Sequence, residues 1–117
     1  MAVTLATLKS ALKPFTRASF DTPALAKYEV AYADLSPKIR KACGGAKAGK
    51  STPTKRNLFY QVAVGDDFVV LFYYKWAPNK AQFDAGGEGV DVLSSDGEGL
   101  GSADLDGKRE VKWSLSV

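Results

Sequence analysis

The first 43 residues carry apolar positions at helical spacing. Leu5, Leu8 and Leu12 recur at i, i+3 and i+7 behind Thr4, a capping residue, and Pro14 ends the run. Asp21-Thr22-Pro23 is a second start signal, with Leu25, Tyr28, Tyr32 and Leu35 as one stripe behind it. Ser36-Pro37 starts a third helix through Lys38-Ile39-Arg40-Lys41-Ala42-Cys43, which Gly44-Gly45 stops. The spacing therefore predicts helices over 1–43, followed by a basic Gly-rich loop over 44–56.

From residue 57 the period changes to two. Leu58, Tyr60, Val62 and Val64 alternate with more polar neighbours, and Gly65-Asp66-Asp67 offers a turn. Phe68, Val70, Phe72, Tyr74 and Trp76 alternate on the return strand. A three-residue connection would set Val64 opposite Phe68 and place both apolar sets on one side of the hairpin. Short strands are expected at Val90-Asp91-Val92 and Leu100–Leu105, with a turn at Asp106-Gly107. Val111, Trp113, Leu115 and Val117 form a last alternating strand. Helices first and strands afterwards make an α+β chain: one domain over 1–117, with N-terminal helices packed on an antiparallel sheet of four to five strands.

The return strand is apolar on its other face too, through Val69, Leu71 and Tyr73. Three covers are open for the face that the helices leave. A second subunit could close it, the C-terminal half could fold across as a third layer, or bases could stack on it.

Composition narrows the chemistry. The 117 residues include no histidine, one cysteine and one methionine. The commonest general base is therefore missing, and the chain supplies no disulfide framework or cysteine-based metal cluster. No cofactor, metal site or catalytic constellation is indicated, and the expectation is a protein without enzymatic activity. Cys43 has Lys38, Arg40 and Lys41 nearby in sequence but no histidine to activate it, which fits a packed thiol. No segment has the length and apolarity of a membrane span or the order of a signal peptide, so a cytoplasmic protein with no membrane partner is expected.

Charge is segregated. Lys38, Arg40, Lys41, Lys47, Lys50, Lys55 and Arg56 follow one another with no acid between them. Asp84, Glu88, Asp91, Asp96, Glu98, Asp104 and Asp106 follow with no base. Such a dipolar chain steers polyanions to one side or pairs with copies of itself.

Two segments have the letters of known motifs. Gly44-Gly45-Ala46-Lys47-Ala48-Gly49-Lys50-Ser51 satisfies the phosphate-loop pattern, which works chemically only between a buried strand and a helix aimed at the phosphates. Here a basic helix precedes it, and Pro53 follows. Gln61-Val62-Ala63-Val64-Gly65 resembles the Gln-x-Val-x-Gly hairpin of the cystatins, with Ala63 where that family has Val. The resemblance covers five residues and implies protease inhibition and a helix laid before an antiparallel sheet. The acid pairs Asp66-Asp67, Asp96-Gly97-Glu98 and Asp104-Leu105-Asp106 read as solvated turns, since none has the spacing of a calcium loop.

Two functions of different class follow. The first is binding of nucleic acid, DNA or RNA and with a liking for single strands, with weak sequence preference. Lys38, Arg40, Lys41, Lys47, Lys50, Lys55 and Arg56 would contact phosphates, with Tyr60, Tyr73 and Trp76 as stacking or interface residues. The second is a self-assembling structural protein, such as a viral accessory or virion component, joined as a homo-oligomer through its sheet face. The unbroken run of seven positive charges favours the first.

Overall fold

In the computed structural model, residues 3–43, 52–85, 87–105 and 110–117 are described. Six strands form one antiparallel sheet in chain order: β1 (Glu29–Val30), β2 (Lys55–Val64), β3 (Asp67–Trp76), β4 (Glu88–Ser94), β5 (Gly99–Asp104) and β6 (Ser114–Leu115). Three short helices accompany it: α1 (Leu5–Ala11), α2 (Pro37–Ala42) and α3 (Lys80–Ala85). The mixed class and antiparallel sheet are those expected. The sheet has one strand more, and helix is a smaller share of the chain.

The β2–β3 hairpin sets the architecture. Its connection is two residues, not three, because Val64 pairs with Asp67 and Gly65-Asp66 make the turn. Gly65 takes the positive φ of 62° that a two-residue hairpin with glycine first requires. One residue fewer in the turn moves every β3 side chain to the other face. Leu58, Tyr60, Val62 and Val64 thus share a face with Val69, Leu71 and Tyr73, while Phe68, Val70, Phe72, Tyr74 and Trp76 lie on the opposite one.

The first face is closed by α1 and the segment after it. Leu8, Leu12, Phe15, Phe20 and Leu25 pack on Tyr60, Val62, Leu71, Tyr73, Val90 and Val92. Thr4 caps α1 in a reciprocal box with Thr7, as its sequence position predicts. The expected helix over 23–35 does not form. Pro23–Tyr28 and Tyr32–Asp34 are 3₁₀ turns on either side of β1. The reason lies in the destinations of the stripe. Leu25 and Tyr28 belong to the core on the first face, whereas Tyr32 and Leu35 belong to the core on the second. One straight helix cannot serve both sides of a sheet, so the chain crosses its edge as strand β1, paired with Phe59 and Tyr60.

On the second face α2 begins where Ser36-Pro37 indicated, with the Ser36 hydroxyl accepting from the Ile39 N–H. Leu35, Ile39 and Cys43 cover Phe59, Val70, Phe72 and Leu93. A third layer therefore exists, supplied by the N-terminal part of the chain and not by the C-terminal half. It covers only part of the sheet. Six helical residues span about 9 Å, against about 33 Å for a ten-residue strand such as β3. α2 sits toward the β4–β5 turn, where Gly97 (φ +83°) leaves room for the Lys38 carbonyl. Among the described residues, no helix covers the opposite end of that face.

Candidate nucleic-acid interface

The open end carries the largest exposed aromatic of the chain. Trp76 is 65% exposed and Tyr74, two residues before it on the same face, is 38% exposed. Two shallow grooves flank this ridge. One, of about 480 Å³, is lined by Cys43, Lys55, Asn57, Phe72, Tyr74, Trp76 and Asp91. The other, of about 550 Å³, runs along Gly89, Ser102 and Asp104. Pairing register accounts for both: Lys55 lies opposite Trp76, Asn57 opposite Tyr74, Tyr74 opposite Gly89, and Gly89 opposite Asp104. A Cβ at Gly89 would lie 2.6 Å from Tyr74 Cζ, so a larger residue there would displace the Tyr74 ring from its present seat.

The same hairpin end carries cations on its other face. Arg56, Lys75 and Lys80 stand 5.6, 4.9 and 5.6 Å from the ring centre of Phe83, a buried residue of α3. Arg56 is held by Asp21 at 3.4 Å and donates to the Thr52 carbonyl at 2.7 Å. Lys80 pairs with Asp84 at 2.9 Å. Lys75 has no ion-pair partner among the described residues. With Arg56 and Lys80 each beside an acid, Lys75 is the cation of this group that can pair with an incoming anion such as phosphate.

The expected site residues separate accordingly. Lys55 and Trp76 face each other across the hairpin on the open face. Both Lys55 and Arg56 belong to β2 and not to a loop, and Arg56 points to the opposite side, toward Phe83. Lys38, Arg40 and Lys41 sit on α2, whose capping residue Cys43 borders the first groove. Lys47 and Lys50 lie outside the described residues, as does the phosphate-loop-like segment up to Ser51. Its described flanks are helix α2 before and strand β2 after, the reverse of what that motif needs.

Tyr60 and Tyr73 are corrected from stacking candidates to core. They are 1% and 2% exposed, packed beneath Phe15 and Phe20. The one-residue change of register put Tyr73 inward and Tyr74 outward. Sequence reasoning passed over Tyr74, although it shares the period of Trp76, and it passed over Lys75 and Lys80, which fall outside the basic run.

Titratable groups around the ridge respond to burial. Burial, and then the charge of Asp91, pushes the Cys43 thiol up to about 11. Burial raises the Asp91 carboxyl above the ordinary aspartate value. The Tyr74 phenol is raised by burial and by Asp91 and Asp104. The grooves are thus acidic inside, and the cations lie at the hairpin's rim and on its reverse face.

Gln61 to Gly65, the cystatin-like segment, is mostly the body of the β2 ladder. Val62 and Val64 are buried, leaving Gln61, Ala63 and Gly65 at the surface. No helix among the described residues is long and apolar enough to cross a membrane. No family model, curated protein or solved structure matches the chain.

Proposed function

We propose that the chain binds single-stranded nucleic acid at the Lys55–Trp76 end of the hairpin, without catalysing a reaction. The observation that carries this reading is the exposed Trp76–Tyr74 ridge set on the same hairpin end as Lys55, Arg56, Lys75 and Lys80. Bases stack on the ridge, each worth about 1–3 kcal/mol, while the strand's phosphates pass the cations at the rim. Lys38, Arg40 and Lys41 extend the positive surface along α2. Single strands are favoured because a short ridge beside shallow grooves meets unpaired base faces, and no helix longer than seven residues is present among the described residues to enter a major groove.

The alternative, self-assembly through the sheet face, would have to use the exposed Trp76–Tyr74 end and not the centre of β3. Val69, Val70 and Leu71 are fully buried by the chain itself, so the centre of β3 needs no second subunit. Anisotropy titration of labelled single-stranded and duplex oligonucleotides at low and moderate salt tests the proposal. Tighter binding of the single strand, weakened in Trp76→Ala, is the expected result. No binding at low salt would overturn it.

A further inference from the structure

Asp91 lines the first groove from β4, on the side of the aromatic ridge away from Asn57. It is the register partner of Phe72 on one side and of Ser102 on the other, on the face that α2 leaves open. Its side chain is half-buried, and among the described residues it makes no hydrogen bond or ion pair. Partial burial disfavours the ionised form and raises the Asp91 carboxyl above its ordinary value, while its oxygens stay open to the groove. The groove therefore presents two acceptor oxygens beside a stacking surface, with Lys55 at its rim.

We infer that Asp91 reads the base stacked on Tyr74 and Trp76 and selects guanine. This rests on the single-strand reading above and goes beyond the weak sequence preference expected from charge alone. An ionised carboxylate only accepts hydrogen bonds, through two oxygens side by side. Guanine places two donors side by side on its pairing edge, the N1–H and the 2-amino group. Adenine and cytosine offer one amino donor beside an acceptor nitrogen, which repels the second oxygen. Thymine and uracil offer one N–H between two carbonyls. Only guanine satisfies both oxygens, and a matched bidentate pair gives roughly tenfold discrimination or more. Asp104, in the second groove, adds to the negative field at Tyr74.

The test compares three labelled octamers by anisotropy at low salt. One is all thymidine, one carries a single central guanine, and one carries hypoxanthine there, which lacks the 2-amino donor. A single guanine avoids four-stranded structures. The guanine octamer should bind about tenfold tighter than the thymidine one, with hypoxanthine in between. Asp91→Asn should abolish the preference and leave thymidine binding equal or tighter, and its urea midpoint shows that the variant is folded. Equal affinity for guanine and thymidine, or a preference that survives in Asp91→Asn, overturns the inference and leaves single-strand binding standing. Failure of all three octamers to bind overturns the underlying reading, and the inference with it.

Discussion

Arg17 and Glu88 join the N-terminal segment to the start of β4, with Arg17 Nη2 2.5 Å from Glu88 Oε1. The Glu88 carboxylate is 5% exposed and also accepts from the Tyr73 hydroxyl, while Arg17 Nε donates to the Leu105 carbonyl at 2.9 Å. Phe20 stacks on Tyr73 at 5.2 Å and roofs the arrangement. Burial first, and then Glu88, drives the Tyr73 phenol far above its ordinary value.

Removing Arg17 leaves a buried carboxylate without its counter-charge. Arg17→Met should cost about 2–4 kcal/mol in urea unfolding, below the top of the range for a wholly buried pair because Arg17 is itself 36% exposed. Arg17→Met combined with Glu88→Gln should recover part of that loss. A single variant as stable as the parent would show that the pair contributes nothing.

The β5–β6 approach makes a sharper stability test. Gly101 has φ +155°, and a Cβ there would meet the Ser114 carbonyl oxygen at 2.3 Å. Backbone cannot swing aside as a side chain can, so Gly101→Ala should cost about 1–3 kcal/mol. Gly99, two residues earlier, has open space where its Cβ would be. Gly99→Ala should leave the thermal midpoint nearly unchanged.

Much of this molecule was legible from period and capping. Thr4, Ser36-Pro37 and the alternation of β2, β3, β4 and β5 act locally, and local signals survive folding. What was not legible depended on distant partners. Turn length at Gly65-Asp66 decides which face of β3 is inside, and Gly-Asp-Asp in sequence permits two residues or three. The apolar stripe from Leu25 to Leu35 has helical spacing, yet its two halves serve opposite faces, which only the sheet edge reveals. The basic run pointed to Lys55 and Arg56. Their companions Lys75 and Lys80 reach Phe83 through pairing and through α3, a helix that the Gly-rich acidic surroundings concealed.

Cys43 reports on the groove by its reactivity. Its thiol is buried and raised to about 11, so native alkylation at pH 7.5 should be far slower than in urea and should climb toward pH 11. The folded chain holds this proton more tightly than the unfolded chain, whose thiol titrates near ~8.5. Cys43's contribution to stability is therefore fully present below that value and is lost as pH rises toward about 11. Asp91→Asn removes a charge that raises the thiol and should speed alkylation at fixed pH. An unchanged rate would mean that the carboxylate does not face Cys43.

Asp91→Asn also has a sign in stability. Burial raises the carboxyl, so its ionised form opposes folding at neutral pH. The opposition is complete above the raised pKa and vanishes below the ordinary aspartate value, where both states are protonated. The variant should show a higher urea midpoint than the parent at pH 7, with the gap narrowing as pH falls toward 4. A lower midpoint at pH 7 would show that Asp91 has a structural partner.

Stacking and charge at the hairpin end separate by their response to salt. Each phosphate neutralised on a single strand contributes about 0.7 to the slope of log affinity against log salt, because bound counterions are released. Lys75, surplus beside Arg56 and Lys80, should supply one such contact. Lys75→Glu should then weaken binding at low salt and flatten the slope by at least that amount. Trp76→Ala removes a stacking surface and no charge. It should lower affinity by about five- to a hundredfold at every salt concentration, with the slope unchanged. The two losses should add when combined, since the side chains lie on opposite faces of β3 and share no partner. If Trp76→Ala changed the slope as Lys75→Glu does, the loss would reflect a displaced hairpin and not a missing stack. Equal urea midpoints for the three variants and the parent close that route.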